Sequence, residues 1–208
     1  MVANSVQQYI KAGVAGFHIE DQIQQKRCGH LQGKEVVETE IWLQRLRAAI
    51  GARQRLQSDA VIIARTDALQ QKGYDDCIAR LKAARDLGAD VGILEGFTSH
   101  QQARQAVQDM APWPLMLNSV ENGVSPTITV QEAQDMGFRI MIFSFASLAP
   151  AYTAIKATFE WLKAEGVTGA SIGPKTIFQV CGLKDSMDID RNAGGMAYGK
   201  GVGCWVIG

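Results

Sequence analysis

The sequence predicts an α/β protein of the (β/α)8 TIM-type barrel class, with about five of the eight strands and a C-terminal helical extension. Short apolar, β-branched segments alternate with longer amphipathic segments, which is the pattern of βα repeats. Helix-to-strand junctions such as Leu87–Val91 carry a glycine, which ends a helix readily. Each predicted strand ends in a polar residue, and in a barrel such ends converge on one mouth. These residues are Glu20, Arg65, Glu95, Asn118 and Ser144.

The predicted strands are short and rich in isoleucine, valine and leucine, while the predicted helices repeat apolar residues every three or four positions. The strands are Gly16–Glu20, Ala60–Arg65, Val91–Glu95, Leu115–Asn118 and Ile140–Ser144. The helices are Asn4–Lys11, Glu38–Leu56, Tyr74–Leu87, Ser99–Met110, Val130–Met136 and Ser147–Glu165.

Two regions differ in composition. Residues 1–165 contain these elements and form a partial (β/α)8 barrel, the expected catalytic domain. Residues 166–208 are glycine-rich, with a helical segment at Pro174–Cys181 and a loose tail from Asn192. We expect this extension to pack on a neighbouring subunit or to be mobile. Because five strands cannot close an eight-stranded barrel, about three βα units are expected ahead of Met1.

Composition and charge exclude several classes of protein. The 208 residues include 21 basic and 21 acidic side chains, without the basic excess typical of nucleic-acid or membrane-surface binding. No apolar run is long enough to span a membrane, and no secretory signal follows Met1. The four cysteines lack CxxC spacing, so we expect reduced thiols in the cytoplasm, or in mitochondria if a targeting segment precedes the chain. Cys77 and Cys181 are expected to pack on helix faces.

Two adjacent carboxylates, Glu20 and Asp21, end the first predicted strand. Burying an unpaired charge is costly, so this pair is not typical of a core. Carboxylate oxygens are ligands that Mg²⁺ prefers, which predicts a metal ligand that binds directly or through water. The alternative is a solvated strand end in which Asp21 caps a turn.

The segment Lys26–His30, with the sequence Lys-Arg-Cys-Gly-His, follows that strand in a loop. Its three potential cations are expected to stabilise the thiolate of Cys28. Gly29 would let the loop fold back over a ligand. The alternative, an ordinary cysteine in a solvated basic patch, is the weaker interpretation because the cations flank it at a barrel mouth.

The later strand ends carry further candidates. The planar fork of Arg65 suits a carboxylate, although a structural salt bridge is an equal interpretation. Glu95 is expected to pair with Arg27 or Arg65. The Asn118 amide and the Ser119 hydroxyl are expected to bind carboxylate oxygens of a substrate.

Three segments in this order and spacing resemble the isocitrate lyase/phosphoenolpyruvate mutase superfamily: Gly16–Gln22, Lys26–His30 and Ala64–Ala68. The resemblance runs from about residue 3 to about residue 165, and the pentapeptide is specific to the carbon–carbon lyase branch. It implies a (β/α)8 barrel that binds Mg²⁺, with Mn²⁺ as the alternative ion, and a small 2-hydroxy or 2-oxo dicarboxylate. It also implies a homo-oligomer, a tetramer in the family, whose subunits exchange a C-terminal helix.

The resemblance implies a role for each candidate residue. Cys28 would be the acid that protonates an enolate-type fragment, and Glu20 would lie in the water shell of the metal. The candidate catalytic residues are Cys28, His30, Lys26 and Glu95. The candidate substrate-binding residues are Arg27, Gly29, Arg65, Asn118, Ser119 and Ser144.

The sequence departs from the family pattern in its metal-binding segment. The main metal-binding aspartates of the family lie on earlier strands, in an Asp-x-Asp-x-Gly-type segment that does not precede Glu20 here. We therefore do not expect full activity from this polypeptide alone. An inactive truncated paralogue that acts only as a subunit is one alternative.

A second departure concerns the substrate. Ser144 stands where methylisocitrate lyases carry Tyr-Pro, and resembles the fungal branch that cleaves oxaloacetate to oxalate and acetate. The segment 174–183 resembles the same branch and its dimethylmalate lyase relatives. We therefore expect oxaloacetate cleavage, with 2-methylisocitrate or 2,3-dimethylmalate lyase activity as the alternative. Ser144 could instead be a strand-end cap.

Overall fold

The computed structural model describes residues 1–195, which fall into two compact units that divide after Ala146. The first unit contains five strands in its described residues: β1 Gly16–Glu20, β2 Val61–Thr66, β3 Val91–Leu94, β4 Met116–Ser119 and β5 Ile140–Phe143. Its helices are α1 Val2–Lys11, α2 Thr39–Arg55, α3 Leu69–Lys72, α4 Tyr74–Leu87, α5 His100–Met110 and α6 Val130–Met136.

The strands pair in parallel and in chain order. One sheet has the order β1-β2-β3, and β4 pairs with β5. A parallel bridge between Gly92 and Leu115 makes β3 and β4 neighbours as well. The register places Glu20 beside Arg65, and Asn118 beside Ile142, so the carboxyl ends of the strands share one edge. The predicted parallel βα repeat is confirmed, while closure into an eight-stranded barrel is not shown by these strands.

The core of the first unit lies on both faces of β2. Ile62 and Ala64 face the cluster formed with the helices, in which Trp42 and Leu81 are fully buried. Ile63 lies in a separate cluster with side chains of β3 and β4. Burial on both faces explains why β2 reads as a continuous apolar run, as parallel strands do.

Helix α4 shows how the sequence sets the element boundaries. Asp75 and Asp76 lie in its first turn, where negative charge favours the helix dipole. Gly88 ends the helix in the left-handed conformation, with φ 110°, which a residue with a side chain rarely adopts. The buried face includes Cys77 and Leu81, so packing of Cys77 on a helix face is confirmed.

The second unit is helical in its described residues, with α7 Leu148–Glu165, α8 Pro174–Val180 and α9 Leu183–Asn192. Helix α9 was not predicted, because its charged sequence has few apolar positions to show a period. Cys181 is exposed, so the expectation that it packs on a helix face is wrong. The predicted tail beyond residue 195, with Cys204, lies outside the described residues. Within residues 1–195, no helix combines the length and the apolar character that a membrane span requires.

Candidate active site

A cavity of about 190 Å³ opens at the shared carboxyl edge of the strands. The pentapeptide Lys26–His30 supplies one wall, and side chains from β2, β4 and the segments after β3 and β5 supply the rest. The lining residues outside the pentapeptide are Arg65, Glu95, Asn118, Val120, Ser144 and Phe145. The predicted convergence of strand ends therefore occurs, and the pentapeptide lies over them.

The loop that carries the pentapeptide is closed at its base. Gln22 forms an antiparallel bridge with Val36, and the Val37 amide donates to the Asp21 carbonyl at 2.8 Å. Within the loop, the Gln22 side chain accepts from the Arg27 amide and donates to the Arg27 carbonyl, both at 3.0 Å. These bonds hold the loop as a compact excursion whose two ends start from the same strand edge.

Glu20 lies in a cluster of cations at the end of β1. Its carboxylate is 2.5 Å from the Lys26 ammonium and 3.5 Å from Nε of Arg65. Lys26 is largely exposed, so its pair with Glu20 is weak in energy but places the start of the pentapeptide beside β1.

Arg65 is the central cation of the site. Its Nε and Nη2 donate to the two carboxylate oxygens of Asp67, at 2.7 and 3.1 Å. Its Nη1 is 3.4 Å from Glu95. Burial favours the neutral form of Asp67, but the hydrogen bonds and charges of Arg65 and Lys34 outweigh burial and hold the pKa of Asp67 below its usual value.

Gly29 packs directly on this ion-pair cluster. A Cβ atom at that position would lie 2.6 Å from Nη2 of Arg65 and 2.7 Å from Cγ of Glu95. Only a residue without a side chain allows the loop to approach so closely. The glycine is therefore needed for contact with the protein itself, in addition to any contact with a ligand.

Lys34 anchors the loop from its far side, a role that the sequence did not indicate. Its buried ammonium donates to the Gly29 carbonyl at 2.8 Å and to Asp67 at 3.4 Å. A buried lysine is stable only when it is paired, and these two acceptors supply the pairing. Lys34 thus connects the backbone of the pentapeptide to the carboxylate that holds Arg65.

Replacing Lys34 by methionine is expected to lower the free energy of unfolding by about 1–3 kcal/mol, because two buried acceptors lose a donor. The loosened loop should also expose the Cys28 thiol more fully to a thiol reagent. Labelling resolved by mass spectrometry distinguishes Cys28 from the buried Cys77, whose pKa burial raises to about 12. The control is Lys72→Met, since Lys72 is exposed and 3.9 Å from an exposed glutamate. Equal labelling of Cys28 in wild type and Lys34→Met would contradict the anchoring role.

A line of polar side chains crosses the cavity from the loop to β5. Nε2 of His30 lies 3.0 Å from Glu95, and both side chains are buried. The Asn118 amide donates to the two oxygens of Glu95 at 3.1 and 3.2 Å. The Ser144 hydroxyl donates to Oδ1 of the Asn118 side chain at 2.6 Å. These contacts join residues from four segments of the chain into one polar surface.

Asp21 differs from both interpretations that its sequence position suggested. It is fully buried, and it accepts from the Thr66 hydroxyl at 2.6 Å and the Asp67 amide at 2.8 Å. Arg80, also buried, lies 3.3 Å from the same carboxylate. Burial raises the pKa of Asp21 above its usual value despite these hydrogen bonds. Asp21 is thus a buried structural acceptor that positions the backbone before Asp67.

The structure brings most of the predicted residues together. Cys28 is exposed and lines the cavity, as do Lys26, Arg27, Gly29, His30, Arg65, Glu95, Asn118 and Ser144. Glu95 pairs with Arg65, as one of the two predicted options stated, and Arg27 forms no ion pair within the described part of the chain. Ser119 is partly buried on β4 and is not among the described residues that line the cavity.

The described residues do not form a metal site on their own. Across residues 1–195, no three His, Cys, Asp or Glu side chains are placed to hold one ion together. Glu20, the predicted metal residue, has its carboxylate between Lys26 and Arg65. The prediction that Glu20 serves a metal therefore stays a prediction.

A sequence profile of the phosphoenolpyruvate phosphomutase family matches residues 1–163. The chain is 36% identical over 163 residues to 2-methylisocitrate lyase of Aeropyrum pernix, covering 76% of this chain and 51% of that protein. It is 30% identical over 195 residues to 2,3-dimethylmalate lyase of Eubacterium barkeri, covering 92% of this chain and 66% of that protein. The chain spans about half to two thirds of the length of these curated relatives.

Two solved structures are similar over nearly the whole chain. Oxaloacetate acetylhydrolase in complex with the inhibitor 3,3-difluorooxalacetate matches with a TM-score of 0.92 and 61% identity, covering 95% of this chain and 67% of that one. A 2,3-dimethylmalate lyase matches with a TM-score of 0.94 and 55% identity, covering 97% and 67%. By its family profile and these similarities, the chain belongs to the phosphoenolpyruvate mutase/isocitrate lyase superfamily, whose homologues include carbon–carbon lyases.

Proposed function

We propose that the protein cleaves a carbon–carbon bond in a small 2-oxo or 2-hydroxy dicarboxylate, with oxaloacetate as the substrate and oxalate and acetate as the products. The observation that carries this proposal is the polar line from His30 to Ser144 across the cavity, which ends in a serine hydroxyl at the end of β5. The similarity to a solved oxaloacetate acetylhydrolase supports the choice of substrate.

The charges around the cavity suit a dianion. Lys26, Arg27 and Arg65 line it, and Glu95 is the acidic side chain among the described lining residues. Arg65 lines the cavity, and its two hydrogen bonds to Asp67 fix the orientation of its planar guanidinium. The volume of about 190 Å³ fits a four-carbon diacid better than a large ligand.

The chemistry can be assigned to residues of this chain. The hydrated keto group of oxaloacetate gives one hydroxyl proton to water, and its bond to the neighbouring CH₂ breaks to leave hydrogen oxalate, which releases its remaining proton to become oxalate. The CH₂ fragment keeps the electron pair of that bond and takes up one proton from an acid to become acetate, and the acid regains its proton from water. Cys28, exposed to the cavity, would supply that proton from its thiol. The Ser144 hydroxyl and the Asn118 amide would hold the hydrated group through hydrogen bonds.

Magnesium dependence is part of the proposal and depends on the family resemblance. When bound, Mg²⁺ would act as a Lewis acid on the substrate oxygens.

The experiment is an assay of the protein, as its gene encodes it, with oxaloacetate, 2,3-dimethylmalate and 2-methylisocitrate side by side. We expect turnover of oxaloacetate with Mg²⁺ and its loss in excess EDTA. Preferred turnover of either other acid would transfer the assignment to that lyase activity.

The 2,3-dimethylmalate lyase activity is the second candidate, supported by 55% identity to a solved enzyme of that name. A third candidate is a subunit without catalytic activity. Absence of turnover of all three acids, with the protein folded and loaded with Mg²⁺, would favour this third candidate.

Replacing Ser144 by proline is expected to lower kcat/KM for oxaloacetate by roughly 100-fold, about 2.7 kcal/mol of transition-state stabilisation. The change removes the hydroxyl that reaches Asn118, and the loss should be selective for oxaloacetate over the other two acids. Ser144→Ala is the matched variant, because it removes the same hydroxyl without restricting the backbone. An equal loss on all three substrates would count against a role in binding the hydrated keto group.

We also propose that the protein is a homo-oligomer. Helix α7 exposes a stripe of large apolar side chains with helical spacing, which monomers rarely leave in contact with water. The stripe consists of Leu148, Tyr152, Ile155 and Phe159, each more than half exposed. Light scattering after size exclusion tests the proposal, and a monomeric mass at micromolar concentration would contradict it.

A further inference from the structure

The two ring nitrogens of His30 have different surroundings. The Val124 amide donates a hydrogen bond to Nδ1 at 3.2 Å. Nε2 is 3.0 Å from the Glu95 carboxylate, yet the angles do not meet those of a hydrogen bond, so Nε2 is a buried atom without a hydrogen-bond partner. The His30 side chain is only 8% exposed, and Nε2 is itself buried.

The contact with Val124 determines where the imidazole proton lies. An amide can donate only to a nitrogen that carries no proton, so Nδ1 must be the unprotonated nitrogen. The single proton of neutral His30 is then on Nε2, beside Glu95 and within a residue that lines the cavity. A proton on Nδ1 would instead set two donors against each other at 3.2 Å.

The turn before Val124 aims this amide at the ring. The Gly123 amide donates to the Val120 carbonyl at 3.1 Å, and Asn122 has φ 60°, which asparagine tolerates in a tight turn. A Cβ atom on Gly123 would lie 2.4 Å from Nδ1 of His30. The backbone of Gly123 is not in the left-handed region, so what excludes a side chain here is the lack of space beside the ring, with the Val120 carbonyl 3.0 Å away as a second close contact.

We propose that the segment Gly123–Val124 is a positioning element that keeps His30 as a hydrogen-bond donor at Nε2. Gly123 leaves room for the ring, and the Val124 amide selects the tautomer. The donor at Nε2 is buried and has no hydrogen-bond partner, so it remains available to an oxygen of a ligand in the cavity. A role of Nε2 in binding a substrate rests on the proposed function, whereas the position of the proton on the ring does not.

Nitrogen-15 NMR of the histidine side chains in the ligand-free protein tests the proposal. At a pH where the imidazole rings are neutral, His30 should show a protonated Nε2 and an unprotonated, hydrogen-bonded Nδ1. The exposed His100 is the internal reference, which should show the averaged shifts of mixed tautomers. A mixture at His30, or a proton on Nδ1, would overturn the proposal whether or not the protein turns over any substrate.

Two substitutions separate Val124 from Glu95 as the cause. Val124→Pro removes the amide proton and should shift His30 towards the mixed shifts of His100, while Val124→Ala keeps the amide and should leave the shifts unchanged. Gly123→Ala should produce the same shift by displacing the ring, even if the proline variant folds poorly. Its control is Gly51→Ala on α2, where a methyl group meets only the end of an arginine side chain at 3.4 Å. A single Nε2 tautomer in both Val124→Pro and Gly123→Ala would show that Glu95 alone sets it and would overturn the role of the segment.

Discussion

Replacing Arg65 by methionine is expected to lower the free energy of unfolding by about 3–5 kcal/mol, the cost of removing one partner from a buried ion pair. The change leaves Asp67 and Glu95 buried without their main cation. It should also reduce kcat/KM by roughly 100-fold or more, since the planar donor that faces the cavity is lost. Chemical denaturation and steady-state kinetics measure the two effects separately.

The stability loss should depend on pH. In the wild-type protein the pKa of Asp67 is below its unfolded value, so Asp67 contributes stability above the unfolded pKa and loses it as pH falls through the folded pKa. Without Arg65, burial dominates and raises the pKa of Asp67. Protonation of Asp67 then favours the folded variant as pH falls, so the stability difference between wild type and Arg65→Met should narrow during acid titration.

The control for this prediction is Arg104→Met on α5. Arg104 is exposed, so its replacement should change stability by less than about 0.5 kcal/mol. A loss of activity in Arg65→Met without a loss of stability would mean that other groups pair with the carboxylates of Asp67 and Glu95. A stability difference between wild type and Arg65→Met that stays constant as pH falls would contradict the role assigned to Asp67.

The fold was predictable because its repeats are local. Strand β1 and helices α4 and α6 have the predicted boundaries, since glycine or polar residues end each of them sharply. Helices α3 and α9 were missed because one is a single short turn and the other is largely polar. Pairing in chain order followed from the βα alternation, which permits few other arrangements.

The site was predictable only where its residues stand at strand ends or in the pentapeptide. Arg65, Glu95, Asn118 and Ser144 do so, and the structure brings them together. Lys34 lies in a polar stretch that reads as a solvated loop, and only the folded loop buries its ammonium.

The sequence of α4 indicates a buried role for Arg80, although only weakly. Arg80 occupies the same helical stripe as Cys77 and Ala84, so it is a lone cation on an otherwise apolar face. Such a charge must meet a buried acceptor, and the structure shows that this acceptor is Asp21 at the end of β1. Arg80 and Asp21 are far apart in sequence, so the residue pattern of α4 alone does not connect them.

Replacing Arg80 by methionine is expected to destabilise the protein by about 3–5 kcal/mol, because Asp21 is left buried without its cation. Arg80 also donates to Asp76 at 2.6 Å and to the Val37 carbonyl at 2.9 Å, so the base of the pentapeptide loop loses a donor too. The matched control is Arg85→Met on the same helix, where the arginine is one third exposed and its partner Asp86 largely exposed. That control should cost less than about 1 kcal/mol.

A double-mutant cycle with Asp21→Asn decides whether the pair itself carries this stability. If it does, the double variant should be less destabilised than the sum of the two single variants, by about 0.5–3 kcal/mol.

The pH dependence of stability gives an independent check. The pKa of Asp21 is above its unfolded value, so the folded state with a protonated Asp21 gains relative stability as pH falls through the folded pKa. Loss of Arg80 raises that pKa further, and the stability difference between Arg80→Met and Arg85→Met should narrow as pH is lowered from neutral into the acid range. A constant difference over this range, together with additive single effects, would show that Arg80 acts through Asp76 and Val37 and not through Asp21.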